Sequence, residues 1–361
     1  MSNEDGLFSV LTLTFNRPEL LRELKECLFR QTYSNFEWVV INNAATPETV
    51  ELLEKWKRED SRIKTVDYEK NQYLVGGSSK MVEICYNDAL KAASGEFVFF
   101  ISDDDLMSED YLERMVRLFR ENARCTTAAG LPAVIDAAGR VIDQGERASN
   151  FRSRYMPGRV LASDICRGGT GLFSSAGNAF AMRRKTLLDA GGYSPVPEVY
   201  ETLAILPFGV TGFDEKALLY WRYHDDQLNR RESAEGKLAV KHVQNILKKG
   251  DVVRRWRDAF GEAAASEVYA YLRHRIVYVS SNWFLINLFS WRIGAALKIL
   301  RDVIFDPGFW AYLPVTLWKQ KRRLLSIQTK GFLRFAFEAL PDEFGASKDL
   351  RSLKEKAYRN D

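Results

Sequence analysis

With 361 residues, 46% hydrophobic and 28% charged, the chain is long enough for two or three domains whose cores need no disulfide or metal staple. Its 52 basic and 48 acidic residues leave a formal net charge of +4, too mild a surplus to call for a nucleic-acid partner. Cys27, Cys85, Cys125 and Cys166 share no CxxC or Cys/His spacing, the opening MSNEDGLFSV has no apolar leader, and the longest apolar run, residues 276–289, is short of the roughly 20 residues of a spanning helix, so a cytoplasmic protein with free thiols is expected.

The first third alternates strand and helix. FSVLTLTF (8–15) reads as a buried strand, and the next segment as a helix with Pro18 in its first turn and Leu20, Leu21, Leu24, Cys27 and Leu28 on one face. FEWVVI (36–41) is a second strand. A helix follows with Thr46 as N-cap, Pro47 at its first position and Val50, Leu53 and Trp56 inward. RIKTVDY (62–68) is a short strand, KMVEICYNDALKAA (80–93) a helix, and FVFFI (97–101) the central strand. Ser108 is expected to cap the helix over 108–122. Residues 126–145 suggest two edge strands around a turn at Ala138–Gly139. A glycine-rich approach, short strand and helix follow over 167–193, and an apolar strand over 216–224. Beyond 236 the pattern is helical and rich in aromatic and basic residues.

Such alternation implies an α/β, Rossmann-like, mostly parallel sheet, which binds ligands outside the carboxyl ends of its strands. At that edge the sequence places Asn16 and Arg17, Asn42 and Asn43, and the run Asp103, Asp104, Asp105. Three adjacent carboxylates suit a hard divalent cation, Mn²⁺ or Mg²⁺, that leaves positions open for substrate phosphates. The competing reading is a solvated turn in which one aspartate caps the next helix. Other phosphate chemistries fit worse: no GxxxxGK[ST] loop is present, and the frame Asp103-x-Asp105-x-Met107 ends on the wrong residue for a haloacid-dehalogenase-type phosphatase.

The stretch FSVLTLTFNRPELLRELKECLFRQTYSNFEWVVINNAAT resembles the opening of family 2 glycosyltransferases of the GT-A fold. NDALKAASGEFVFFISDDDLMSEDYLERM is similar to the segment carrying that family's DxD motif, and DAGGY and LLYWRYH resemble its GGF element and YR-x-H strand. The likeness covers roughly residues 7–230. It implies a nucleotide-sugar-binding half (1–107), an acceptor-binding half (108–235) and a helical C-terminal region (236–361), with inverting transfer of a sugar to a saccharide or lipid-linked saccharide, as in surface polysaccharide assembly.

By the same resemblance, Thr14 and Phe15 fall where the base is contacted, and Asn16 and Arg17 keep the family letters. Asp103 approaches the ribose and Asp104 holds the metal in the Ser102-Asp103-Asp104 frame; the frame Asp103-x-Asp105 is the alternative. Lys80 stands near a position that is often arginine, and His224 where some relatives complete the metal site. Glu201, then Glu198, are the choices for the general base. Asn42 replaces the aspartate that meets the pyrimidine; an amide both accepts and donates, so UDP or dTDP donors are favoured.

A catalytically inactive GT-A domain serving as scaffold or carbohydrate-binding partner is the alternative. A nucleotidyltransferase lacks support because LTFNRPEL stands where its glycine-rich loop belongs. In the C-terminal third Trp283, Phe284, Phe289, Trp291, Trp310 and Trp318 lie among Arg292, Lys298, Lys319, Lys321, Arg322 and Arg323. That mixture suits either peripheral contact with the cytoplasmic membrane face or packing against protein.

Overall fold

The computed structural model describes residues 6–143, 153–166, 180–194, 201–224 and 250–338, together with 227, 244, 247 and 248. The chain forms two compact units, one from residues 1–224 with 252–268, the other from 225–251 with 269–361.

In the first unit the expected alternation is present as β1 (Phe8–Thr14), α1 (Pro18–Phe29), β2 (Phe36–Asn42), α2 (Pro47–Glu59), β3 (Ile63–Asp67), α3 (Tyr73–Ala92) and β4 (Phe97–Phe100). β1 pairs parallel with both β2 and β4, and β2 pairs parallel with β3. Every residue of β2 and β4 is buried, which is why these strands read as unbroken apolar runs. Register sets Thr14 beside Asn42, and Asn42 beside Asp67, so three strands end in a row of polar side chains.

The second half adds β5 (Leu106–Met107), α4 (Tyr111–Glu121), β6 (Cys125–Ile135), β7 (Val141–Asp143), β8 (Tyr155–Pro157), α5 (Gly158–Cys166), β9 (Phe180–Arg183), α6 (Arg184–Asp189) and β10 (Val210–Arg222). The sheet runs β3-β2-β1-β4-β9-β6-β10-β5, with β7 on β6 and β8 on β10. β9 is antiparallel to both neighbours, so it joins the parallel nucleus to the β6–β10 pair.

Three expectations need correction. The segment read as two edge strands contains β6, which lies inside the sheet between β9 and β10. Its small residues are there for close approach: a Cβ on Gly130 would stand 2.2 Å from the Ala217 carbonyl oxygen. Ser108 does not cap α4. Gln31 does, its Oε1 accepting from Leu112 N at 3.0 Å while its Nε2 donates to Ser108 O at 2.7 Å. The third helix begins earlier than Lys80, but Gly76 and Gly77 (φ +75°) break its first turn, so its regular part starts at Ser78.

α7 (Asp251–Phe260) packs within the first unit, where Trp256 Nε1 donates to Leu203 O at 2.5 Å. The second unit holds the later turns of α8 (Glu262–Phe289), α9 (Ile293–Val303) and α10 (Pro307–Glu338); Leu285 and Ile286 of α8 pack with Leu324 of α10. The Ser281 and Thr316 hydroxyls join α8 to α10 at 3.0 Å.

Glu37 is the polar anchor of the parallel nucleus. Its buried carboxylate accepts from Ser9 Oγ (2.6 Å), Ser94 N (2.6 Å) and Gly95 N (3.3 Å), and pairs with Lys64 Nζ at 2.6 Å. Burial alone would raise its pKa, but the bonds from Lys64, Ser9 and Ser94 outweigh burial and lower it. A depressed carboxylate stabilises the fold above its unfolded pKa and loses that contribution as pH falls through the folded one. Glu37→Gln should therefore cost about 1–2 kcal/mol near neutrality. In urea unfolding the gap to wild type should close as pH drops below about 4.

Candidate active site

β4 delivers the chain to the rim, and Ile101 N still bonds Leu11 O at 3.0 Å before the acidic turn begins. Asp103, Asp104 and Asp105 are then 5%, 8% and 9% exposed, so this is no solvated turn. Asp103 accepts from Thr14 Oγ1 at 2.8 Å and Arg17 Nη1 at 3.2 Å. Asp104 Oδ2 lies 2.9 Å from Arg17 Nη1 and 2.9 Å from His224 Nε2. Asp105 Oδ1 accepts from the backbone N–H of Arg222 at 2.9 Å.

These surroundings separate the three acids. Burial, then the neighbouring Asp104 charge, pushes Asp103 up to about 6. Burial and the same charge raise Asp105 well above the carboxylate range. Burial also opposes ionisation of Asp104, but the bond to His224 and the Arg17 charge overcome it and lower its pKa. Asp104 is thus the first of the three to ionise.

Arg222, 2% exposed, braces the turn from behind. Its Nε donates to Asp104 O at 2.7 Å, Nη1 to Ala137 O at 2.9 Å, and Nη2 to Glu23 Oε2 at 2.6 Å. One guanidinium therefore ties the acidic turn to the β6–β7 turn and to α1.

Along the rim, Asn42 Oδ1 accepts from Ala45 N and its Nδ2 donates to Asp67 Oδ1, both at 2.9 Å. Asn16 holds a left-handed backbone (φ +53°), a conformation asparagine tolerates, and accepts from Thr46 N at 2.7 Å, where it fixes the start of α2. Asn43 bridges to Asn71 and Gln72. Phe15 is 43% exposed beside them. The GGY turn is clamped by Asn87, which accepts from Tyr193 N at 2.8 Å and donates to Tyr193 O at 2.9 Å.

The structure thus brings Thr14, Arg17, Asp103, Asp104, Asp105 and His224 into one cluster. Lys80 pairs instead with Glu83 on its own helix, at 2.9 Å. Glu198 lies outside the described residues. Glu201 opens a π-type turn, Glu201–Ile205, and its side chain is likewise outside them. Asp67, Asn87 and the role of Arg222 went unrecognised in the sequence. Asp67 ends β3 just as Asn42 ends β2, and reading every strand's last residue would have found it.

Among the described residues no set of three or more His, Cys, Asp or Glu side chains is arranged to hold a metal by itself. Asp104 with His224 supplies two donors at one point, both side chains slightly exposed. That pair fits a cation drawing its remaining ligands from phosphate and water, and the imidazole suits Mn²⁺ better than the harder Mg²⁺.

Residues 9–186 match the sequence model of the family described as glycosyl transferase family 2. The chain is 34% identical over 108 residues to the poly(ribitol-phosphate) beta-N-acetylglucosaminyltransferase TarS of Staphylococcus aureus, a match covering 29% of this chain and 18% of that protein. It is 24% identical over 115 residues to the glycosyltransferase GlyG of Streptococcus pneumoniae, covering 32% and 36% respectively. The chain therefore spans less than half the length of these relatives. The crystal structure of S. aureus TarS 1–349 in complex with UDP shares the fold, with a TM-score of 0.56 at 17% identity, over 89% of each chain.

Arg222 makes the acidic turn depend on a buried charge. Arg222→Met would remove the donor that ties Asp104 O, Ala137 O and Glu23 together, so a loss of about 3 kcal/mol is expected in chemical denaturation. Glu23→Gln, half-exposed and still able to accept, should cost under about 1 kcal/mol in the same measurement.

Proposed function

Because this chain belongs to glycosyl transferase family 2 and has the GT-A fold, we propose that it transfers a sugar, with inversion, from a nucleoside-diphosphate sugar to a hydroxyl of a saccharide or lipid-linked saccharide. The observation carrying the proposal is the buried aspartate turn at the carboxyl edge of the parallel strands, with Asp104 held between Arg17 and His224. TarS has been crystallised with UDP and with UDP-GlcNAc, which supports a nucleotide-sugar donor here, UDP or dTDP favoured.

In this reading Thr14 and Phe15 line the base, Asn16 shapes the turn beneath it, and Asp103 meets the ribose. Asp104 and His224 hold Mn²⁺ or Mg²⁺, and Asp105 stays behind with Arg222. Bound there, the cation neutralises charge developing on the departing diphosphate. Arg17 reaches the same region and adds a second positive group; Lys80 is a further candidate for that task. Glu201, or Glu198, takes the proton of the acceptor hydroxyl as its oxygen bonds to the anomeric carbon and the bond to the diphosphate oxygen breaks. Asn42 has one acceptor and one donor already engaged, so the exposed carboxylate of Asp67 is the stronger acceptor for a base N–H at this rim.

A second reading, an inactive GT-A domain that binds carbohydrate or a partner, draws on the Arg17 guanidinium lying across Asp103 and Asp104. Calorimetric titration of UDP, dTDP, GDP and CDP, with and without Mn²⁺, separates the two. Metal-dependent binding of one nucleotide, weakened at least tenfold by Asp104→Ala, is the expected result. Folded protein that binds none of the four supports the inactive reading.

A further inference from the structure

The second unit leaves an apolar face uncovered. α9 buries Ala295, Ala296, Ile299 and Val303, the spacing of a helix packed on one side. Its exposed side mixes Lys298 and Arg301 with apolar residues. Ile293, Leu297 and Ile304 fall on one stripe and are 46%, 57% and 41% exposed. The turn that follows carries Phe305, 95% exposed, and Trp310 closes onto it by donating from Nε1 to Ile304 O at 2.7 Å. On α10 the stripe continues through Leu317 and Trp318, with Lys321 Nζ 3.7 Å above the Trp318 ring. Contiguous exposed aromatic and aliphatic side chains of this kind mark an interaction surface.

Charge selects the occupant. Between 291 and 321 the basic residues are Arg292, Lys298, Arg301, Lys319 and Lys321, against Asp302 and Asp306 alone. Asp306 is engaged by Arg273 at 3.0 Å and Asp302 by Arg301 at 3.3 Å, which leaves the surplus of this face positive. A second copy would bring this same basic face against itself, and like charges would oppose the contact. A bilayer rich in anionic lipid presents the opposite sign, and its headgroup boundary accepts indole and phenyl rings together with lysine and arginine stems. We infer that the outer face of α9, the turn at Phe305 and the first turns of α10 dock on an anionic lipid surface and lie in its interface. Among the described residues no helix is long and apolar enough to cross a membrane. This inference does not depend on the transfer reaction.

The test is co-sedimentation of the full chain with vesicles of phosphatidylcholine alone, and of phosphatidylcholine containing one-third phosphatidylglycerol. Binding to the mixed vesicles should exceed binding to neutral ones at least tenfold and weaken with added salt. Phe305→Ser with Leu297→Ser should lower it about tenfold or more. Lys298→Glu with Arg301→Glu should lower it at least about fivefold per cation. All four positions are exposed, so circular dichroism should be unchanged. Equal partition to both vesicle types, or none to either with the protein folded, overturns the inference. So does a dimer in sedimentation velocity that Phe305→Ser dissociates, since a second copy would then occupy this face.

Discussion

Three carboxylates in one buried turn are the constraint around which the first unit is arranged. Left unpaired, buried charges of one sign would cost several kcal/mol each. The fold meets that cost from three directions: Arg17 from the loop after β1, His224 from the end of β10, and the backbone N–H and side chain of Arg222. The three acids are not equivalent as a result. Asp103 and Asp105 are pushed toward protonation by burial and by Asp104, while Asp104 stays ionised. A cation arriving at Asp104 would favour ionisation of its neighbours, so the charge held by the turn depends on its occupant.

Rigidity beneath the turn comes from the parallel nucleus. Glu37 draws β1, β3 and the segment before β4 onto β2, and Gly95 admits that approach because a Cβ there would stand 2.5 Å from Ser9 Oγ. The far side is fixed by Gln31, which joins the end of α1 to the start of α4. Arg17, Asp103, Asp104 and His224 thus stand just beyond the ends of strands, and the acidic turn is pinned from behind by Arg222.

How much of this the sequence discloses depends on the range of the interaction. Strands such as FEWVVI and FVFFI are legible because burial on both faces makes them unbroken apolar runs. The aspartates are legible because they follow such a run without a spacer. β6 is not: Ala128, Ala129, Gly130 and Pro132 look like an edge or a turn, and only the nearness of Ala217 explains why small residues belong inside the sheet. The cap of α4 is invisible for the same reason. Ser108 has the right chemistry at the right place locally, but Gln31, distant in sequence, reaches Leu112 N first, and the Ser108 hydroxyl turns to Asp110 and Leu218 N. Long-range partners are what local pattern omits.

The rim at β2 shows how such a partner changes the meaning of a departure. The family resemblance leads one to expect an aspartate where this chain has Asn42, and taken alone the change removes a negative charge from the base-binding edge. The structure sets Asp67 beside it in register, bonded through the Asn42 amide. The carboxylate is therefore not lost from the edge but stands one strand further out, on an exposed residue that also accepts from Thr65 Oγ1. If the proposed donor is bound here, its base would meet an acceptor displaced by about 4.8 Å, the spacing of neighbouring strands. In the proposed reaction, that displacement would weigh on the choice of base more than the chemistry of residue 42 itself.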